Sequence, residues 1–337
     1  MKLFENYSLT ELNTFHIEVK ANRFILVEKL YELNELINSF ELSADKFLIL
    51  GGGSNILFTK DFDGTIFHLS FNQLSEIKSD DRFVYIKAEA GMIWDDLVKY
   101  SVDKNLGGIE NLAMIPGTVG AAPIQNIGAY GQELKDSLVE VEYFDLPDKK
   151  IKTISSEKCE FGYRDSIFKN SLKGKFIITS VTLRLSKNPI PVLNYGNVAN
   201  ELSKSGIDKP TIKDVSNIIR KIRTEKLPDP KQIGNAGSFF KNPIIDENKF
   251  ESIKEKYPDV PSFRQENKIK IPAAWLIEKS GLKGYKKGNA ATHPNQPLVI
   301  VNYGKASGKE ILEFAQLIQN TVFERFQIQL EPEVNVI

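Results

Sequence analysis

Two glycine-rich runs and a thin scatter of polar side chains carry whatever chemistry this sequence can do. Gly51, Gly52 and Gly53 follow the apolar stretch Phe47–Leu50 and lead into Ser54 and Asn55. Consecutive glycines let backbone approach a ligand with no side chain in between, and successive N–H groups form a concavity suited to phosphate oxygens. Ser54 and Asn55 would add donors; the triplet reads equally well as a tight turn. It is neither a P-loop, which needs Gly-Lys-Ser/Thr, nor a GxGxxG fingerprint. The second run, residues 107–131 (GGIENLAMIPGTVGAAPIQNIGAYG), is nearly free of charge over 25 positions. A solvated loop of that length would be polar. The run suits backbone packed against a large, flat, mostly apolar ligand, its alternative being a buried glycine-rich connection.

Single side chains are more ambiguous. Arg164 offers a fork of donors for a carboxylate, or an ion pair for neighbouring Asp165. Tyr163 reads as core, Tyr195 as a strand-edge aromatic, Lys226 as a helix C-terminal cap and Glu333 as tail charge. Ser238, between Gly237 and Phe239, is an ordinary turn residue unless its surroundings polarise it. The lone Cys159 makes no internal disulfide, and His16, His68 and His293 cannot close a zinc site without several carboxylates, so no metal chemistry is expected. Lys+Arg and Asp+Glu are both 44, which gives no standing positive field for nucleic acid or a membrane surface. Residues 201–300 nevertheless hold 19 basic against 12 acidic residues. That surplus suits an anionic small ligand, although such surpluses are also ordinary solvated surface. No apolar stretch is long enough to span a bilayer, and the first 15 residues, with Glu5 and Glu11, lack the apolar centre of a secretory signal. With a single thiol, this predicts a reducing, cytoplasmic setting.

The elements that must position these residues follow from periodicity. Helical spacing marks Val27–Ser39, Trp94–Lys104, Ile212–Thr224, Ala273–Lys279 and Ser307–Phe326, the last opened by a Ser307/Glu310 capping box. Apolar or alternating stretches predict strands at Phe47–Leu50, Phe83–Ala88, Leu138–Phe144, Phe176–Leu185 and Leu298–Asn302. Helices and strands mix without βαβα alternation, so the fold class is α+β. Pro189, Pro191 and Pro210 mark a boundary, and three consecutive blocks result: 1–70, 71–205 and 206–337.

The two glycine runs together with later blocks are similar to the UDP-N-acetylenolpyruvoylglucosamine reductases, flavoenzymes of peptidoglycan precursor synthesis. The matching residues are Gly51–Asn55, 115–130 (IPGTVGAAPIQNIGAY), 161–166 (FGYRDS), 226–230 (KLPDP), 234–243 (GNAGSFFKNP) and 330–334 (LEPEV), in the family's order and across essentially the whole chain. One departure is His16, where the family usually has Gly or Arg. The resemblance implies a two-subdomain vanillyl-alcohol-oxidase-type FAD-binding region in the first two blocks. It implies a separate α+β substrate-binding domain in the third, with a C-terminal tail reaching the active site. FAD would be bound and NADPH would be co-substrate, with a UDP-sugar as the reacting partner. The cofactor residues implied are Gly51, Gly52, Gly53, Ser54, Asn55, Ile115, Pro116, Gly117, Thr118, Gly120, Ala121, Gln125, Asn126, Gly128, Ala129 and Tyr130. Arg164, Ser238 and Glu333 would be catalytic, with Ser238 as proton donor to the enolpyruvyl carbon. Tyr163, Tyr195, Lys226, Asn242 and Gln296 would bind substrate, Tyr195 on the mobile loop of one family subtype. Two other readings are an oxidase or dehydrogenase of another alcohol or sugar on the same fold, and a flavin-free nucleotide-sugar binder.

Overall fold

The computed structural model describes residues 1–39, 46–265 and 267–337. The chain divides into two compact units that interleave along the sequence. The first holds Met1–Tyr7, Ala21–Gly52 and Asp63–Arg223; the second holds Ser8–Lys20, Gly53–Phe62 and Thr224–Ile337.

The first unit is built on a four-stranded and a five-stranded sheet. One has the strand order Lys2–Ser8, Lys20–Val27, Phe62–Leu69, Phe47–Ile49, its last pair parallel with Phe47 opposite Thr65 and Ile49 opposite Phe67. Helix α1 (Leu30–Ser39) buries Leu33, Leu36 and Ile37 in the same cluster as Ile25, Val27 and Phe67. Val27 belongs to the strand, so the helical pattern starts three residues later than its periodicity suggests. The other sheet is antiparallel, ordered Lys150–Ser155, Leu138–Asp145, Phe176–Ser186, Phe83–Glu89, Leu74–Ser79. Its middle strand, Phe176–Ser186, is buried almost along its length, with Thr179, Ser180 and Thr182 buried along with its apolar residues. Helices α2 (Trp94–Asp103), α3 (Val198–Lys204) and α4 (Ile212–Lys226) contribute Trp94, Leu97, Leu202, Val215 and Ile219 to that sheet's core.

In the second unit a sheet runs in the order Gly234–Ser238, Val299–Asn302, Ala290–Thr292, Lys286–Lys287. The unit also holds a small antiparallel sheet ordered Ile244–Ile245, Lys268–Lys270, Phe263–Gln265, and helices α5 (Glu247–Lys256), α6 (Ala273–Lys279) and α7 (Gly308–Phe326). The capping box forms as the spacing predicts: Glu310 N–H donates to Ser307 Oγ at 3.2 Å and Ser307 N–H to the Glu310 carboxylate at 2.8 Å. The last strand, Asn335–Val336, pairs in parallel with Ile56–Leu57 and so draws the C-terminal segment against residues that follow the glycine triplet. Among the described residues no helix is long and apolar enough to cross a membrane. The α+β class read from the sequence holds.

Candidate functional site

In the first unit the two glycine runs meet backbone to backbone. A Cβ on Gly51 would lie 2.6 Å from Thr118 Oγ1, and one on Gly52 would lie 3.7 Å from Gly117 Cα. Both runs edge a cavity of about 460 Å³ walled by Leu50, Thr118, Gly120, Ala121, Ile124 and Ile178 among others. Its size and mostly apolar wall are those of a cofactor pocket. A second hollow of about 510 Å³, lined by charges of both signs (Lys135, Asp136, Glu157, Arg184), contains none of the candidate residues. A Cβ at 51 or 120 would collide with the protein itself, so glycine there lets the runs pack closely and leaves the cavity wall at those points to backbone N–H and C=O groups, which suit a flat, phosphate-bearing group. At Gly120 the clash would be with Ala90 Cβ at 2.7 Å.

The run around Gly117 is laced to the start of α2. Trp94 N–H donates to Gly117 O (3.0 Å), Val119 N–H to Met92 O (2.8 Å) and Gly120 N–H to Ala90 O (2.9 Å). Residues Val119–Gln125 then form a 3-10 helix that buries Val119 and Ala122 and leaves Ala121 exposed. Ile115 and Gly117 are half-buried, Pro116 exposed. Three non-glycines of the run, Met114, Asn126 and Tyr130, sit at left-handed φ of 57, 42 and 47°. Asn126 is held there by its own amide. Its Nδ2 donates to Glu133 Oε2 (2.8 Å) and Gly162 O (3.2 Å), and its Oδ1 accepts Lys135 N–H (3.1 Å).

That bond to Gly162 brings the FGYRDS block beside the run. Arg164 Nη2 donates to Gly128 O at 2.8 Å, and its guanidinium lies 5.6 Å from the Tyr163 ring centre. Asp165 meanwhile accepts Ser166 N–H (3.0 Å) and the Asn170 amide (3.2 Å). Tyr195 is 39% exposed and closes on the end of the run, where a Cβ on Gly131 would come 3.1 Å from Tyr195 Cβ. A Cβ on Gly196 would stand 3.7 Å from the Tyr130 ring, while Ala129 pairs with Gln132 in a short hairpin. Burial pushes the Tyr130 hydroxyl above its ordinary range, so it stays a neutral donor.

Sequence reasoning missed two residues of this neighbourhood. Arg223, on α4, donates through Nη2 to Met114 O (3.2 Å), while its enclosed Nε has no hydrogen-bond partner among the described residues. Burial depresses its pKa against the pull of Tyr130 and Asp95. Asp95, in the first turn of α2, takes both forks of Arg220 at 2.8 and 2.7 Å. Burial alone would raise its pKa, yet the Arg220 hydrogen bonds and the Met114 N–H hold it below the usual carboxylate range. The available signal was the polar face of α4, on which Arg220, Arg223 and Lys226 recur every three residues.

The second unit gathers Ser238, Glu333 and Asn55. The strand Gly234–Ser238 carries a bulge, since Asn235 faces Val301 but Ser238 faces Val299. Gly237 sits at φ 68° inside it, with its N–H bound to Asn235 Oδ1 at 2.9 Å. Such a bulge turns the following side chain and commonly borders a reactive site. Phe239 and Phe240 are fully buried and anchor the backbone beyond it. Glu333 N–H donates to Phe239 O (2.8 Å), and Asn55 Nδ2 donates to Glu333 O (3.2 Å). Gly53 and Ser54 precede Asn55 in this unit, and Gly53, at φ 62°, is the left-handed member of the triplet. A Cβ there would overlap Leu12 O.

Gln296 sits in the turn that feeds the strand opposite Ser238, Val299 N–H donating to its carbonyl at 2.9 Å. Asn242 Oδ1 accepts Ala273 N–H at 2.9 Å, and exposed Lys226, the last residue of α4, precedes the loop whose Pro228 carbonyl accepts Asn235 Nδ2 at 3.2 Å. His16 occupies its position at φ 56°, a conformation that glycine adopts freely, with Nε2 at 2.7 Å from Pro230 O. Arg164, Tyr163, Tyr195 and the 115–130 run belong to the first unit; Lys226, Ser238, Asn242, Gln296 and Glu333 belong to the second.

Comparison with known proteins gives concordant matches. A family model described as an FAD binding domain matches residues 21–155. One described as UDP-N-acetylenolpyruvoylglucosamine reductase, C-terminal domain, matches residues 229–337. A UDP-N-acetylenolpyruvoylglucosamine reductase of Flavobacterium johnsoniae is 48% identical, with all of both chains covered. One from Neisseria gonorrhoeae is 44% identical over 97% of this chain and 95% of that protein. Among solved structures, a reductase of the same description from Thermus caldophilus superposes with a TM-score of 0.69 at 24% identity, covering 99% of this chain and 98% of that one, which bears on the fold.

Proposed function

The chain belongs to the UDP-N-acetylenolpyruvoylglucosamine reductase family, oxidoreductases of peptidoglycan precursor synthesis, and carries an FAD-binding domain; on that premise we propose the reaction it runs. The enolpyruvyl double bond of UDP-N-acetyl-3-O-(1-carboxyvinyl)glucosamine is reduced to the lactyl ether of UDP-N-acetylmuramate, at the expense of NADPH and one proton. FAD, when bound, relays the hydride of NADPH to the terminal carbon of that double bond. Gly51 to Asn55 would hold its pyrophosphate, and Ile115 to Ala121 with Gln125 to Tyr130 would hold the rest.

The work left to side chains follows from charge. Hydride addition leaves carbanion character beside the substrate carboxylate, so the carboxylate needs a cation and the neighbouring carbon needs an acid. Arg164 is the permanent cation, its guanidinium already oriented by Gly128 O and the Tyr163 ring. Ser238 gives the proton, and Glu333 assists in polarising the site. Lys226 meets the UDP pyrophosphate, Asn242 and Gln296 position the sugar nucleotide, and Tyr195 excludes water. In this reading blocks 1–70 and 71–205 serve the cofactor, 206–337 serves the substrate, and the reaction belongs to the cytoplasm.

The single observation that carries the reading is the hydrogen bond from Glu333 N–H to Phe239 O. It sets the backbone of residue 333 beside the bulged strand end that carries Ser238, from which it is remote in sequence. The test is spectroscopic and anaerobic. The purified protein is expected to be yellow, to bleach with NADPH, and to regain its colour when the UDP-sugar is added. Bleaching without substrate-dependent return of colour overturns the proposal. Rapid aerobic turnover of a simple sugar would favour an oxidase instead, and a colourless preparation that FAD cannot reconstitute would favour a nucleotide-sugar binder.

A further inference from the structure

The backbone of Met114 is gripped on both sides of its Cα. Its N–H donates to Asp95 Oδ1 at 2.7 Å, and its carbonyl accepts from Arg223 Nη2 at 3.2 Å. Met114 needs such a grip because its φ is 57°, in the left-handed region that unbranched side chains seldom occupy unaided. Asp95 cannot swing away. Arg220 holds it with two bonds of 2.8 and 2.7 Å, and Lys99 Nζ adds a third contact at 3.2 Å. Its position in the first turn of α2 also favours a negative charge. Arg220 and Arg223 stand one turn apart on α4, so one helix face holds the two peptide units that flank the Met114 Cα, the first through Asp95 and the second directly.

What Met114 introduces is the stretch Ile115–Thr118, and Gly117 and Thr118 are the residues that meet Gly51 and Gly52 at the cavity edge. We propose that Asp95, clamped by Arg220, is a positioning residue for the cofactor: it holds the left-handed turn at Met114 and thereby sets the backbone that lies against the flavin dinucleotide. This rests on the reading that residues 115–118 contact FAD. Asp95 touches no reacting atom in this role. It acts through one peptide bond.

The experiment uses the full-length protein loaded with FAD, and reads the FAD dissociation constant and the visible circular dichroism of the bound flavin. Asp95→Ala is expected to weaken FAD binding by about tenfold or more, as loss of a charged hydrogen-bond acceptor does, and to alter the dichroism. Adding Met114→Gly to that variant should restore both most of the way, because glycine takes the left-handed turn with no clamp. A plain structural ion pair gives a different pattern: lower thermal stability, unchanged affinity and spectrum in the folded fraction, and further loss on adding glycine. Wild-type FAD affinity and dichroism in Asp95→Ala, or failure of Met114→Gly to restore them, overturns the proposal. If Asp95→Ala does not fold, Arg220→Met with and without Met114→Gly asks the same question, with the same two overturning results. A wild-type protein that takes up no FAD refutes the cofactor reading itself, a separate result seen before any variant is made.

Discussion

The two units solve the problem of holding a ligand in opposite ways. In the first, an apolar cavity is bordered by glycine runs: Gly51 and Gly120 line it without side chains, Gly52 and Gly117 lie beside them, and the fixing is done one layer behind by Asp95, Arg220 and Asn126. In the second, the candidate groups are side chains: Ser238 on a bulged strand, Glu333 on a C-terminal segment that is itself hydrogen-bonded into place, and Lys226 at the end of α4. A flat dinucleotide is recognised largely by shape and by N–H and C=O groups, so a cradle needs room. A proton transfer needs one hydroxyl in one orientation, so it needs a rigid element under a single residue. Substitutions should therefore fail differently in the two units.

The largest effect is expected in the second. Ser238→Ala should leave bleaching by NADPH nearly unchanged and slow the return of colour with the UDP-sugar by roughly 10²–10⁴-fold, the range for a positioned acid. Stopped-flow traces of the two half-reactions decide it. Equal slowing of both would mean that residue 238 shapes the flavin site and donates no proton, and the division between the units would break.

The next contrast sets one glycine of each unit against the other. Gly120→Ala forces a methyl against Ala90 Cβ at 2.7 Å, whereas the space around Gly237 is open and its difficulty is a φ of 68°. The first should cost about 1–3 kcal/mol of overpacking and lower FAD affinity. The second should cost only about 1 kcal/mol of backbone strain, with FAD binding intact. Thermal melts with and without FAD separate these outcomes. Equal FAD loss from both would contradict the assignment of the cradle to the first unit's backbone.

Much of the fold was legible because periodicity survives in well-packed elements. Ala273–Lys279 and the capping box of α7 fall where spacing places them, as does the core of every strand read from an apolar run. Elements with weak contrast escaped: the N-terminal strand Lys2–Ser8 is exposed along most of its length, and α5 shows only Phe250 and Ile253 as buried residues. Of the site, the glycine runs were visible as composition. The roles proposed for Ser238, Glu333 and Asn242 rest on family resemblance, because a lone serine or glutamate has no periodic signature. Asp95 and Arg220 were invisible for another reason. They lie 125 positions apart, and no local pattern announces a bidentate pair across that span.

A middling effect is expected at Lys226. It is exposed, so Lys226→Ala should barely move the melting temperature, while the KM for the UDP-sugar rises about tenfold or more through loss of a phosphate-directed charge. The flavin spectrum should be unchanged. Titration with UDP alone checks the site independently of turnover, and unchanged affinity would move the anion site elsewhere in the second unit.

The smallest effect probes how solid the backbone-built unit is. Cys159 is fully buried, and burial pushes its thiol up to about 12 from an ordinary 9.0. Because the thiolate is the reactive form, a thiol reagent at pH 8 should leave the folded protein unmodified while labelling the denatured chain within minutes. The sign of the pH effect follows. Below pH 9 the thiol is neutral in both states and costs the fold nothing; between 9 and 12 the unfolded chain ionises first, so stability falls as pH rises. Labelling of the native protein would then report opening of the core behind the FGYRDS block, and FAD should slow it if the cradle and that core open together. Rapid labelling that FAD does not affect would show that the first unit's packing is looser than a side-chain-free cradle can tolerate.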